Sequence, residues 1–197
     1  MVSGVLLCAG ESRRMGRENK LLLTHRDMPL VRAAVLECLG SKAGEWIVVT
    51  GYQDRQVKEA LEGLELRFVH NPGFYSGMSE SIKVGIAAVA SAADAAMICL
   101  ADMPGLKSMH YDALIGKFSR EKAKGLRPIL RPVHRERPGH PVLFDRSFFG
   151  QILASKDTEG CASVIQANRA HYLPYPLANE AYYRDIDTPV DCHKWRE

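Results

Sequence analysis

Between Gly10 and Gly16 the chain places Ser12, Arg13 and Arg14, and Lys20 follows shortly after the second glycine. Glycines let a backbone come close to a ligand, and the exposed N–H groups of such a loop cradle anions. An arginine adds a planar, permanently charged fork of donors that suits phosphate, and a lysine adds a point charge. Together these residues point to a polyphosphate site. Two other phosphate-binding patterns are excluded. Five residues separate Gly10 from Gly16 and Arg17 follows, which is not GxxxxGK[ST], and no GxGxxG occurs. A surface loop of solvated arginines would show the same spacing.

Four further stretches carry reactive side chains. Asp102 ends the apolar run AMICLAD, where a carboxylate can hold Mg²⁺ that also meets phosphate oxygens, or can cap the next turn. Ser79 and Ser81 lie at a predicted helix start in NPGFYSGMSESIKVG, and Ser79 is placed to act as an N-cap. In DIDTPVD, Asp185 and Asp187 precede Pro189, and the segment also reads as a helix start with proline near its first position. His140 sits between Gly139 and Pro141 in RPGHPVLF, a setting as suited to structure as to binding.

The elements that must position these residues follow from the hydrophobic pattern. VSGVLLCA, EWIVVTG, LELRFVHN, AAMICLAD, RPILRPV and HPVLFD read as strands, most of them continuously apolar, as in parallel sheets buried on both faces. Helical spacing runs through 29–40, 53–63, 79–93 and 107–120. The alternation predicts an α/β fold, and in open parallel sheets ligands bind beyond the carboxyl ends of the strands. The arginine- and proline-rich segment 126–141 reads as an irregular edge or insertion over the site. A length of 197 residues suits one domain, 1–197. The net charge of +3 comes with no basic arm for nucleic acid, and no apolar run approaches a membrane span or a signal peptide. Five scattered cysteines without a CxxC are expected to be reduced thiols of a cytoplasmic protein.

LLCAGESRRMGRENK resembles the L-A-A-G-x-S-x-R-M-G…K signature of MobA-like nucleotidyltransferases, which include the molybdenum cofactor guanylyl- and cytidylyltransferases, with Cys8 where alanine is usual. NPGFYSGMSESIKVG, LADMP, RPGHPV and DIDTP resemble later segments of the cytidylyl members in the same order. The resemblance implies a three-layer α/β/α Rossmann-like nucleotide-diphospho-sugar transferase fold with a mostly parallel sheet. It implies a nucleotide site of Leu7, Ala9, Gly10, Ser12, Arg14, Lys20, Ser79 and Ser81, with Arg14, Lys20 and Asp102 as the catalytic set. Asp102 and Asp187, or Asp185 in its place, would hold Mg²⁺, and Gly139, His140 and Pro141 would meet the acceptor.

The implied reaction is transfer of CMP from CTP to the terminal phosphate of molybdopterin, with release of pyrophosphate. A phosphate monoester has its second pKa near ~6, so no general base is needed. Transfer to a sugar or polyol phosphate, or a non-catalytic molybdenum cofactor carrier for hydroxylases, are the alternatives. The implied partners are CTP or another NTP and a phosphorylated acceptor, with a molybdenum hydroxylase apoenzyme downstream, and neither nucleic acid nor membrane.

Overall fold

The structure is a computed structural model that describes residues 1–12, 18–25, 27–158, 160–188 and 190–191. Arg13, Arg14, Gly16, Pro189 and Cys192 lie outside the described residues. In chain order its elements are β1 (Val2–Cys8), β2 (Thr24–His25), β3 (Met28–Pro29), α1 (Leu30–Leu39), β4 (Glu45–Thr50), α2 (Asp54–Ala60) and β5 (Arg67–His70). There follow α3 (Met78–Ala88), β6 (Ala95–Leu100), α4 (Ser108–Ala123), β7 (Ile129–His134), β8 (Arg137–Pro138), β9 (Val142–Asp145), α5 (Phe149–Ala154), α6 (Ala162–Ala167) and β10 (Tyr172–Pro176).

The main sheet runs β10-β7-β9-β6-β1-β4-β5, with β8 paired to β7. β1 is parallel to both β4 and β6, β4 to β5, and β10 to β7, whereas β9 runs antiparallel to β6 and β7. Successive side chains of a strand point to opposite faces, and each central strand feeds two cores. Val2, Leu6 and Cys8 of β1 join Val31, Val35 and Cys38 of α1 and Tyr111, Leu114 and Phe118 of α4. Val5 joins Ile82 and Ile86 of α3, Ile152 of α5 and Val164 of α6 on the other face. The result is the three-layer α/β fold, mostly parallel, that the sequence predicts. Among the described residues no helix is long and apolar enough to cross a membrane.

Within 126–141 the strand expected from RPILRPV forms, as Ile129–His134 inside the sheet, but the irregular edge or insertion over the site does not: the chain turns through Arg135 and Glu136 into β8. Both turn residues have positive φ, 46° and 64°, the conformation of a two-residue hairpin turn that follows the sheet's twist. β10 carries Pro174 and Pro176, which argue against a central strand. It is tolerated because β10 pairs only with β7, at the sheet edge.

What matters for a site is that β1, β4 and β6 end together, so Ala9-Gly10, Gly51 and Ala101-Asp102 emerge along one rim. α3 is drawn against this rim by Gly85. A Cβ there would stand 2.3 Å from Val5 Cγ1 and 3.1 Å from Val49 Cγ2. Gly85→Ala should therefore destabilise the fold by about 1–3 kcal/mol through overpacking, despite alanine's better helix propensity. Urea unfolding of Gly85→Ala, Val5→Ala and the double variant should show that the double loses less than the sum, because removing the Val5 methyls vacates the clash.

Candidate functional site

A cavity of about 610 Å³ opens beyond the carboxyl ends of β1 and β6. Leu7, Ala9, Gly10 and Ser12 form one wall, and Lys20, Asp102, Asp185 and Asp187 form the polar floor. A Cβ on Gly10 would meet no protein atom within 4 Å, so the protein's own packing does not demand glycine there. The bare backbone faces the open cavity instead. Ser12 is held in the left-handed region at φ 53°, and its Oγ accepts the Lys20 backbone N–H at 3.2 Å. The two described ends of the first loop thus meet. Asn19 is buried and its Oδ1 accepts the Leu21 N–H at 3.0 Å, which fixes the 3₁₀ turn Lys20–Leu22 that carries the lysine.

Lys20 Nζ lies between two carboxylates, 2.5 Å from Asp102 Oδ2 and 2.7 Å from Asp187 Oδ1. Burial works against the ammonium, but the two carboxylates outweigh it and raise its pKa. Burial pushes Asp102 up from the usual carboxylate range; Asp185 and Asp187 add to the rise and Lys20 opposes it. Asp102 Oδ1 is buried and has no hydrogen-bond partner among the described residues. Asp187 reaches the floor because its neighbour Ile186 is anchored: the Ile186 side chain is in the first core and its N–H donates to the Asp102 carbonyl at 2.9 Å. The helix-start chemistry of DIDTPVD falls to Thr188. Asp191 Oδ2 accepts both the Thr188 N–H (2.9 Å) and Oγ1 (2.6 Å), while Thr188 Oγ1 accepts the Asp191 N–H at 3.3 Å, a reciprocal cap.

The first turn of α3 closes the cavity. Its N-cap is Gly77, at φ +112°, where a Cβ would come within 2.3 Å of the Thr158 carbonyl oxygen. Ser81 lines the cavity, and its Oγ accepts from Asn71 Nδ2 at 3.0 Å. Ser79 does not fulfil the N-cap expectation and does not line the cavity: its Oγ donates to the Gly160 carbonyl at 2.7 Å, tying α3 to the loop before α6. Phe74 and Tyr75 add aromatic walls. Sequence reasoning passed over them, since two aromatics in a single 3₁₀ turn create no periodicity, although the preceding Asn-Pro marks the turn.

Gly139, His140 and Pro141 separate from this cavity. Gly139 is a packing glycine: a Cβ would stand 2.5 Å from the Tyr182 carbonyl oxygen and 2.6 Å from the Tyr183 ring. The His140 N–H donates to the Tyr182 carbonyl at 2.9 Å, and the His140–Pro141 bond is cis. Pro141 is buried and lines neither cavity. Only His140 of the three faces open space, a second cavity of about 220 Å³ beneath α3 that shares Met78 with the first. Burial, reinforced by the charge of Arg131, drives the His140 pKa down to about 4, so the ring is neutral near pH 7. The four described cysteines are buried and free.

Residues 4–172 match the MobA-like NTP transferase domain. The chain is 28% identical to "Nicotine blue oxidoreductase" of Paenarthrobacter nicotinovorans, over 98% of this chain and 95% of that protein. It is 25% identical to "Probable molybdenum cofactor guanylyltransferase" of Natronomonas pharaonis, over 99% and 96% respectively. A nucleotidyl transferase from Methanothermobacter thermautotroptrophicus shares the fold, with a TM-score of 0.81 at 20% identity over 100% of this chain and 96% of that one. The match takes in most of β1, the first loop, α3, Asp102 and the His140 turn, and the chain belongs to the MobA-like NTP transferase domain family of nucleotidyltransferases.

Proposed function

We propose that this nucleotidyltransferase moves CMP from CTP to the terminal phosphate of molybdopterin and releases pyrophosphate. The observation that carries the reading is the floor of the main cavity, where Lys20 and two carboxylates stand at the strand ends beside a bare glycine backbone. The cavity lies in the usual range for small-molecule sites, roughly 300–1,000 Å³. The donor's triphosphate lies along Gly10 and Ser12 with Arg14 and Lys20 as its cations. The base and ribose rest toward Ser81. The acceptor approaches from the His140 side.

The residues present fit a divalent cation. Asp102 Oδ1 is a buried acceptor without a partner among the described residues, and Asp187 shares the floor with it. Among the described residues no three acidic, histidine or cysteine side chains form a protein-only cage. That suits Mg²⁺, which is bound through one or two carboxylates with phosphate and water completing its shell. Asp102 and Asp187 would hold it, and it would supply neutralisation of phosphate charge. The protein's own part is alignment: the acceptor phosphate dianion is held in line with the α-phosphorus, and the charge on pyrophosphate is met by Arg14 and Lys20. The alternatives differ in their readout. With CTP, GTP, ATP and UTP as donors and molybdopterin or sugar phosphates as acceptors, pyrophosphate release should be fastest with CTP and molybdopterin. A molybdenum cofactor carrier would release none with any pair.

Asp102→Asn should keep the fold and lower kcat by about 10²–10³-fold, the scale for losing one preorganised electrostatic group. Near-normal turnover in Mg²⁺ would refute the metal role. Donor and acceptor recognition should separate as well. Ser81→Ala should weaken CTP binding by about 0.5–1.5 kcal/mol, whereas His140→Ala should raise the acceptor KM and leave CTP affinity within error. Calorimetric titration of CTP beside steady-state kinetics with the acceptor varied measures both. Arg14→Lys should damage kcat/KM more than Arg13→Lys, because a bidentate fork becomes a point charge at the position that touches phosphate.

A further inference from the structure

The second cavity holds a charge that the fold does not explain. Arg131, on β7, lines it among apolar walls supplied by Ile82, Ile98 and Phe144. Its Nε donates to the Gly139 carbonyl at 2.9 Å, and among the described residues no carboxylate pairs with it. Burial lowers its pKa, the sign of a guanidinium taken from water. Such a group is costly to bury without a counter-charge. The bond to Gly139 satisfies one N–H, and among the described residues no hydrogen bond engages the terminal nitrogens of the fork. The same cavity is lined by His140, neutral, with Nδ1 buried and without a hydrogen-bond partner among the described residues. With the ring proton on Nε2, Nδ1 offers a lone pair.

A cationic donor beside a neutral acceptor, set in an apolar slot, is the complement of one arrangement in flat heterocycles: a ring carbonyl next to a ring N–H. The carbonyl oxygen takes the guanidinium N–H groups, the ring N–H takes the imidazole nitrogen, and the ring faces take the aliphatic walls. The cavity is about 220 Å³ against 610 Å³ for its neighbour, a space for one or two fused rings and not for a nucleoside triphosphate. Met78 lines both cavities, so an acceptor with its ring in the small one can extend its phosphate toward the large one. We propose that Arg131 and His140 read the lactam edge of a planar heterocycle carried by the acceptor, with Arg131 as a specificity-determining residue. This rests on the acceptor reading given above.

Binding of two fluorescent pteridines to the full chain tests it without turnover. Pterin has the lactam edge, and 2,4-diaminopteridine has an amino group in place of its carbonyl. The chain should bind pterin at least about tenfold more tightly. Arg131→Gln, whose amide can still donate to Gly139, should bring the two within about twofold. Ala162→Phe, from α6, should block both ligands while leaving the Gly139 turn untouched, which keeps the test open if Arg131→Gln fails to fold. Equal affinities, a preference that survives in Arg131→Gln, or no binding at millimolar ligand would overturn the proposal. So would displacement of pterin by GTP alone, which would give the slot to the donor base. The acceptor reading is checked separately, by competition of pterin against the phosphorylated acceptor in steady-state transfer. An Arg131-dependent preference without competition supports the lactam slot and refutes the acceptor reading. Competition without a preference refutes the lactam slot alone.

Discussion

One ammonium group, Lys20 Nζ, is shared by carboxylates from distant parts of the chain, Asp102 after β6 and Asp187 near the end of the described residues. Two like charges brought to one partly buried floor repel each other, and a cation between them removes the conflict. Breaking a buried ion pair by deleting one partner typically costs about 3–5 kcal/mol, because the remaining charge stays desolvated. The rest of the site is arranged to hold that cation in place. Asn19 fixes the turn that carries it, Ser12 ties its backbone to the end of the first loop, and Ile186 pins the last carboxylate through the core and through the Asp102 carbonyl.

That arrangement depends on the sheet. Because β1 is parallel to β4 and β6, three strand ends release their chains at a single rim, and the loops that follow converge without any long connection. The antiparallel β9 beside β6 interrupts the parallel run, and β7 and β10 continue the sheet beyond it. The small cavity lies on that side, walled by β6, β9 and β7 and covered by α3 and α6. The change of strand direction thus falls between the two cavities' outer walls, and the small cavity it borders is chemically unlike the large one.

Legibility in the sequence varied with the kind of signal. Leu7, Ala9, Gly10, Ser12, Lys20, Ser81, Asp102, Asp185 and Asp187 all line the main cavity; the close of an apolar run marks Gly10 and Asp102, whereas Ser81, Asp185 and Asp187 follow no strand and were legible through the motifs of the family resemblance. Ser79 misled because a hydroxyl at a helix start looks like a cap; Gly77 takes that place and Ser79 is spent on Gly160. β10 was hidden by its prolines, whereas the strand in RPILRPV was legible and the hairpin from it into β8 was not. Arg131 belongs to no motif, and its lack of a carboxylate partner among the described residues is a property of three-dimensional surroundings alone. The union of Lys20 with Asp187 spans most of the chain, and no local pattern announces a contact of that range.

α3 is the element on which the two cavities meet. Gly85 lets it lie close to β1, which brings its first turn to the rim. From that turn Gly77 and Ser81 face the large cavity, Ile82 faces the small one and Met78 borders both. Adjacent residues of a helix point about 100° apart, so Ser81 and Ile82 can serve different chambers without any bend in the backbone. Their hydroxyl and aliphatic side chains match what each chamber offers: an amide-supported polar wall at Asn71 on one side and an apolar slot on the other. A rigid helix with two faces keeps the chambers at a fixed separation, which is what the proposed in-line transfer, with donor and acceptor held in separate chambers, would require.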